Sequence, residues 1–185
     1  MLRRLKTYTI DTFDPRDVQY SFDSKKSFVS SFVPIFVILP PARLKEISIY
    51  HDNSKTNLEH VNINEGCTFV LEWADSNVTI MTEKFEQMDE MVDRFIAENH
   101  SRIENASSMK QSKRFTNYGN TCTLTMKQKA GHYPDIIRNS TGSAEAWETL
   151  RVGTYLQATL QMETIWIMSN KNLYGHISTF NEILI

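Results

Sequence analysis

Cys67-Thr68-Phe69-Val70-Leu71-Glu72-Trp73 decides the fold class. Cys67, Phe69, Leu71 and Trp73 share one parity, with Thr68, Val70 and Glu72 on the other. This is the period of a strand with one face in a core. Asp75-Ser76-Asn77 reads as a turn and Val78-Thr79-Ile80 as a returning strand. Thr82 to Glu98 has the other period: Phe85, Met88, Val92, Phe95 and Ile96 form one helical stripe. Thr82 is its expected N-cap, and Glu83 and Glu86 suit the positive end of the helix dipole.

Upstream, Phe32 to Leu39 is a short apolar strand interrupted by Pro34 and stopped by Pro40-Pro41, since proline donates no ladder hydrogen bond. Leu44 to Tyr50 is a further strand. Residues 1–31 lack a sustained period and read as a flexible basic arm, leaving residues 32–185 as one globular domain. Downstream, Ser101 to Asn120 reads mostly as a polar loop. Cys122, Leu124 and Met126 alternate as a strand. Ser143 to Glu148 reads as a short helix. Leu150 to Met162 keeps one apolar parity opposite Arg151, Gly153, Tyr155, Gln157 and Gln161. Ser169-Asn170-Lys171-Asn172 then folds Ile165–Met168 back onto Leu173–Ile177 as a hairpin. The expected class is α+β: an antiparallel sheet against one main helix and a short second helix, with a flexible N-terminal arm.

The chain has 185 residues, 41% hydrophobic and 23% charged, which suits one folded domain. A net charge of -2 argues against coating nucleic acid through bulk charge, though local basic patches remain. The longest apolar run, Phe32 to Leu39, falls far short of the roughly 20 residues of a membrane span. The basic start, Met1 to Lys6, is not followed by the apolar stretch of a secretory signal. The expectation is a protein neither secreted nor transmembrane. Cys67 and Cys122 both sit in alternating patterns; they read as small core residues, with a disulfide between two strands as the alternative.

No catalytic constellation is legible, so the chain is expected not to be an enzyme, to need no cofactor and to bind no metal. The five histidines form no ligand-like pair, and six glycines leave little for a phosphate-cradling loop. The carboxylates Glu83, Glu86, Asp89, Glu90 and Asp93 read as the solvated face of the helix. The basic clusters carry more. Arg3, Arg4 and Lys6 lie among leucines, with Lys25 and Lys26 further on, a mixture suited to an anionic membrane surface. Lys110, Lys113 and Arg114, with Lys127 and Lys129, form a second patch for lipid or nucleocapsid. Phe115 and Tyr118 beside it would serve as stacking platforms for nucleic-acid bases. Phe36, Leu39, Pro40, Pro41 and Leu44 form a stiffened apolar segment suited to self-association. Tyr133-Pro134-Asp135-Ile136 fits a short motif with which some viral proteins recruit membrane-scission machinery.

Leu39-Pro40-Pro41 followed by Leu44-Lys45-Glu46, the helix ending at Asn99-His100-Ser101-Arg102, and Leu160-Gln161-Met162-Glu163-Thr164-Ile165-Trp166 in a terminal strand pair resemble the matrix proteins of rhabdoviruses. Their usual Pro-Pro-x-Tyr motif is absent, since Ala42-Arg43 follows the prolines. The resemblance implies a viral matrix protein of the virion and host cytoplasm. Such a protein self-associates beneath the membrane, condenses the nucleocapsid, contacts the envelope glycoprotein and supports budding. Two other readings stand beside it. One is a viral accessory protein or silencing suppressor that binds single-stranded nucleic acid, RNA included, through Lys113, Arg114, Phe115 and Tyr118. The other is an enzyme whose site is dispersed in sequence.

Overall fold

The stripe Val78, Met81, Phe85, Met88, Val92, Ile96 is buried along a single helix, α1, Ser76–Glu98. It comes from a computed structural model that describes residues 6–22, 28–52, 64–129, 137–143 and 150–185. The helix begins two turns before the expected Thr82 cap. Val78-Thr79-Ile80 is therefore helical, not a returning strand: Val78 and Met81 extend the 3.6-residue stripe into the core. Asp75, at φ 56°, turns the chain sharply from strand to helix. At the other end Asn99 Nδ2 donates to the Phe95 carbonyl at 2.9 Å.

Among the described residues eleven strands form one sheet. They are β1 (Lys6–Thr9), β2 (Tyr20–Phe22), β3 (Phe28–Ile38), β4 (Ala42–Asp52), β5 (Asn64–Ala74), β6 (Lys110–Gln111), β7 (Phe115–Asn117), β8 (Thr121–Lys129), β9 (Ile137–Arg138), β10 (Tyr155–Met168) and β11 (Leu173–Leu184). The main path runs β1-β3-β10-β4-β5-β8-β7, and β11 lies against the other side of β10. The β10–β11 hairpin is the one expected, with Ser169–Lys171 as a 3-10 turn and Asn172 at φ 51°.

Pro40-Pro41 makes a corner. β10 pairs antiparallel with β3 (Leu160↔Val37) and continues past the prolines to pair with β4 (Leu156↔Ala42). β4 then turns away to pair with β5, and β5 with β8. The corner needs no amide donors from Pro40 or Pro41, and their neighbours' acceptors are used. Trp73 Nε1 donates to the Pro40 carbonyl at 3.0 Å and Gln157 Nε2 to the Leu39 carbonyl at 3.2 Å. On the far side, residues 110–117 pass from β6, paired with β11, to β7, paired with β8. This segment draws the sheet's two ends together, and β11 touches β8 directly. The result is a curled, mostly antiparallel sheet, compatible with an OB-like barrel, with α1 packed on β5, β7, β8 and β11.

The core inside the curl includes Ile35, Val37, Leu39, Leu44, Phe69, Leu71, Trp73, Leu124, Met126 and Leu160, together with Met81 and Phe85 from α1. A second cluster (Val92, Ile96, Ile103, Met109, Ile165, Tyr174) lies under the C-terminal half of the helix.

Residues 6–22, read from the sequence as arm, carry β1 and β2 and bury Ile10, Phe13 and Val18. Their pattern is too short and interrupted to register as a strand period, yet β1 lies parallel along β3 (Thr7↔Phe36). The polar stretch 101–120 likewise holds two 3-10 turns, β6 and β7. Of the expected short second helix, residues 144–148 lie outside the described residues, and Ser143 belongs to neither helix nor strand. Cys122 is a buried free thiol, pushed up to about 11 by burial. Pairing places it opposite Trp73, whereas Cys67 lies opposite Gln128, six residues along the same ladder. That offset is about 20 Å, far beyond disulfide reach.

Candidate nucleic-acid interface

Register places one row of residues on the outer face of the curl. Tyr155 on β10 pairs with Arg43 on β4, Arg43 with Glu72 on β5, Glu72 with Thr123 on β8, and Thr123 with Thr116 on β7. Four strand spacings make this row about 19 Å wide. The opposite parity (Leu44, Leu71, Trp73, Cys122, Leu124) fills the core; within the row Tyr155, Arg43 and Thr116 are exposed, Glu72 is half-buried and Thr123 is buried.

A bulge shapes its centre. The β4–β5 register shifts between Leu44 and Glu46, which leaves Lys45 as an extra residue. A bulge re-aims the side chain it inserts. Lys45 Nζ reaches Glu72 Oε2 at 2.7 Å, while Arg43 Nη1 stands 3.7 Å from Glu72 Oε1. The hydrogen bond that Lys45 donates to Glu72 holds it above the ordinary lysine pKa. Lys45 Nζ also lies 5.6 Å from the centre of the Tyr118 ring, within cation–π range.

Tyr118 and Tyr155 are 63% and 71% exposed, the two largest exposures among the described large hydrophobics. Each is presented by a turn that needs glycine. Tyr118 opens the β7–β8 turn, its amide donating to the Thr121 carbonyl at 2.8 Å, with Gly119 at φ 87°. Before Tyr155, Gly153 at φ 94° lets the chain dock on β4: Gly153 N donates to Leu44 O and Leu44 N to Thr154 O. Side chains with a Cβ rarely adopt these backbone angles. The rest of the face is made of short side chains: Thr121, Thr125 and Val70 are half-buried, Thr123 is buried and Thr116 is exposed; Glu46 is exposed at its edge.

The residues singled out in the sequence scatter. Lys113 is held on α1 by Asp89, Nζ to Oδ2 3.2 Å. Arg114 is half-buried, and burial lowers its pKa; its Nη1 is shielded without a hydrogen-bond partner. Phe115 stacks on Phe85, centroids 4.9 Å apart and planes 9° apart, so it is packing and not a platform. Of the two aromatic rings in that group, only Tyr118 stands free of the core. Lys110 is exposed in β6, next to β11. Lys127 and Lys129 occupy β8 positions opposite Thr68 and Gly66. Lys6 is exposed on β1; Arg3, Arg4, Lys25, Lys26 and Tyr133, Pro134, Asp135, Ile136 lie outside the described residues. In the expected self-association segment, Leu39 and Leu44 are sealed in the core, Phe36 and Pro40 are half-buried and Pro41 is exposed. The two leucines have no surface to offer a neighbour, because the strand parity turns them inward.

Arg43, Lys45, Glu72 and Tyr155 were missed. Tyr155 carried a signal, standing on the polar parity of its strand. Arg43 and Lys45 become neighbours of Glu72 only through pairing across a gap of more than twenty residues.

No described helix is long and apolar enough to cross a membrane. Among the described residues no group of three or more His, Cys, Asp or Glu side chains stands where it could hold a metal ion.

No protein-family profile matches the chain, and no curated protein matches it in sequence. Solved structures do. It is similar to gp2.5, a single-stranded DNA-binding protein encoded by bacteriophage T7, with a TM-score of 0.53 at 12% identity, over 81% of this chain and 90% of that one. This chain shares the gp2.5 fold. The single-stranded DNA-binding protein of bacteriophage Enc34, in complex with single-stranded DNA, aligns at a TM-score of 0.46 and 13% identity over 90% and 93% of the two chains. Its C-terminal truncation aligns at 0.47 and 10% over 90% and 92%.

The expected kinship with rhabdovirus matrix proteins is overturned by the gp2.5 likeness. Short stretches such as Leu39-Pro40-Pro41 carried that resemblance, and here they serve as a barrel corner. Membrane association and budding fall with it, and the nucleocapsid and glycoprotein as partners lose their support.

Proposed function

We propose that this chain binds single-stranded nucleic acid, without reading base sequence, across the outer face of β4, β5 and β8. One observation carries this: two exposed tyrosines flank a row that holds two half-exposed cations on the strands of a curled barrel. Aromatic rings stack on any base, and cations track the phosphates. OB-fold barrels bind oligonucleotides on the open face of their sheet. The gp2.5 likeness supports the reading through the fold.

Tyr118 and Tyr155 are the stacking platforms, and Arg43 and Lys45 the phosphate contacts. Lys127 and Lys129 continue the same register along β8. The role is one of binding and involves no catalysis. Fluorescence anisotropy with a labelled oligothymidylate, repeated across a salt series, tests the proposal. Micromolar or tighter binding that weakens with salt, and that drops in Tyr118→Ala and Tyr155→Ala proteins of unchanged stability, is the expected result. Equal binding by wild type and the double variant would place the interface elsewhere.

A further inference from the structure

Glu72 is an acidic side chain at the centre of a face meant to receive an anion. Its side chain is only 16% exposed, yet each of its oxygens addresses a different cation: Oε2 faces Lys45 Nζ at 2.7 Å and Oε1 faces Arg43 Nη1 at 3.7 Å. The cations remain about half exposed, at 48% and 53%, so an incoming phosphate can reach them. The neighbours in the row, Thr123 and Thr116, are neutral. Stability does not explain the carboxylate, since ion pairs with exposed partners contribute little to folding.

We propose that Glu72 sets the strength of binding by competing with the nucleic-acid phosphate for Arg43 and Lys45. This rests on the single-stranded nucleic-acid reading above. In the free protein Glu72 holds both cations extended over the sheet and keeps Lys45 beside the Tyr118 ring. When a strand arrives, its phosphate takes over one of these cations while the carboxylate stays nearby and repels it. The trio therefore offers a net charge of one where the two cations alone would offer two. A strand held this way leaves more readily, which suits a protein that must later be displaced from what it covers.

The test is Glu72→Gln, which keeps the shape and an acceptor oxygen for Lys45 but removes the charge. Binding to labelled oligothymidylate is measured by anisotropy from low to moderate salt, with Glu90→Gln on α1 as a control for net charge. The expected result is affinity higher by roughly three- to tenfold at low salt. The slope of log K against log salt should steepen by about 0.7, the value of one extra phosphate contact on a single strand. Glu90→Gln should stay near wild type. If Glu72→Gln is poorly folded by thermal melting, Glu72→Thr, matching Thr123, carries the same expectation. Weaker binding by the well-folded variant, or an unchanged slope, overturns the proposal while the functional reading stands. No salt-sensitive binding by wild type overturns both.

Discussion

Gly175 on β11 lies directly beneath the indole of Trp166 on β10. A Cβ built on Gly175 would come within 2.9 Å of Trp166 Cζ2 and 3.0 Å of the Ser112 carbonyl oxygen. The two residues are register partners in the terminal hairpin, and Ser112 lies within the 110–117 segment that closes the curl. Gly175→Ala must therefore push the indole or the closing segment away. The expected loss is about 1–3 kcal/mol, typical of overpacking, read as a lower urea midpoint with an unchanged slope.

Trp73 closes the proline corner from inside. Its indole N–H satisfies the Pro40 carbonyl, and its ring is 2% exposed. Trp73→Phe leaves that carbonyl without its donor and opens a small cavity. A destabilisation of about 2–3 kcal/mol is expected by denaturant titration. Phe13→Leu, at an equally buried side chain that has no polar atom of its own, serves as the comparison for loss of volume alone.

His176 gives the fold a pH dependence. Burial first, then the Arg114 guanidinium, lower its pKa from 6.5 to about 3, and its Nε2 has neither solvent nor a hydrogen-bond partner. Tyr20, whose ring centre is 6.0 Å away, offers no negative charge to offset this. The folded pKa lies below the unfolded one, so between pH 6.5 and 3 the unfolded chain binds more protons. Stability from this group is complete above pH 6.5 and declines as pH falls toward 3. At pH 5 the loss is about 2 kcal/mol relative to pH 7. Urea midpoints at the two pH values measure it, and His176→Phe should show a much smaller difference.

The tyrosines and the lysine at 113 separate the two candidate surfaces. Tyr118→Ala and Tyr155→Ala should each weaken single-strand binding by about 1–3 kcal/mol, with melting temperatures close to wild type because both rings are exposed. Lys113→Ala should leave affinity nearly unchanged, since that side chain is committed to Asp89. Parallel anisotropy titrations decide between the faces; a large effect at Lys113 with none at the tyrosines would move the site to the 110–114 segment.

The parts of the fold legible in sequence are those whose period runs unbroken: the Cys67–Trp73 alternation, the helical stripe from Phe85 to Ile96, and the terminal hairpin. The helix start was not legible because Val78-Thr79-Ile80 is β-branched, a local preference that the burial of Val78 and Met81 overrides. Residues 6–22 were opaque because their strands are three and four residues long. The site was opaque for another reason. Basic and aromatic residues close in sequence, from Lys113 to Tyr118, drew the reading, but alternate residues in β7 face opposite sides. Phe115 therefore went to the core, and of the two aromatic rings only Tyr118 stayed outside. The proposed row takes one residue from each of several strands, and only the register assembles it.

The proline corner also dictates an order of events during synthesis. β3 and β10 pair across more than a hundred residues of chain; the Gln157 to Leu39 hydrogen bond spans 118. At ordinary rates of translation β3 waits roughly ten seconds for its partner. The β4–β5 pair is complete much earlier and can form first. Until β10 emerges, β3 has only the short strands β1 and β2 beside it, and Ile35, Val37 and Leu39 lack Leu156, Leu160 and Met162 from β10. The last strands made are thus the ones that seal the first, and a ribosome stalled before residue 155 would hold a chain ready to aggregate.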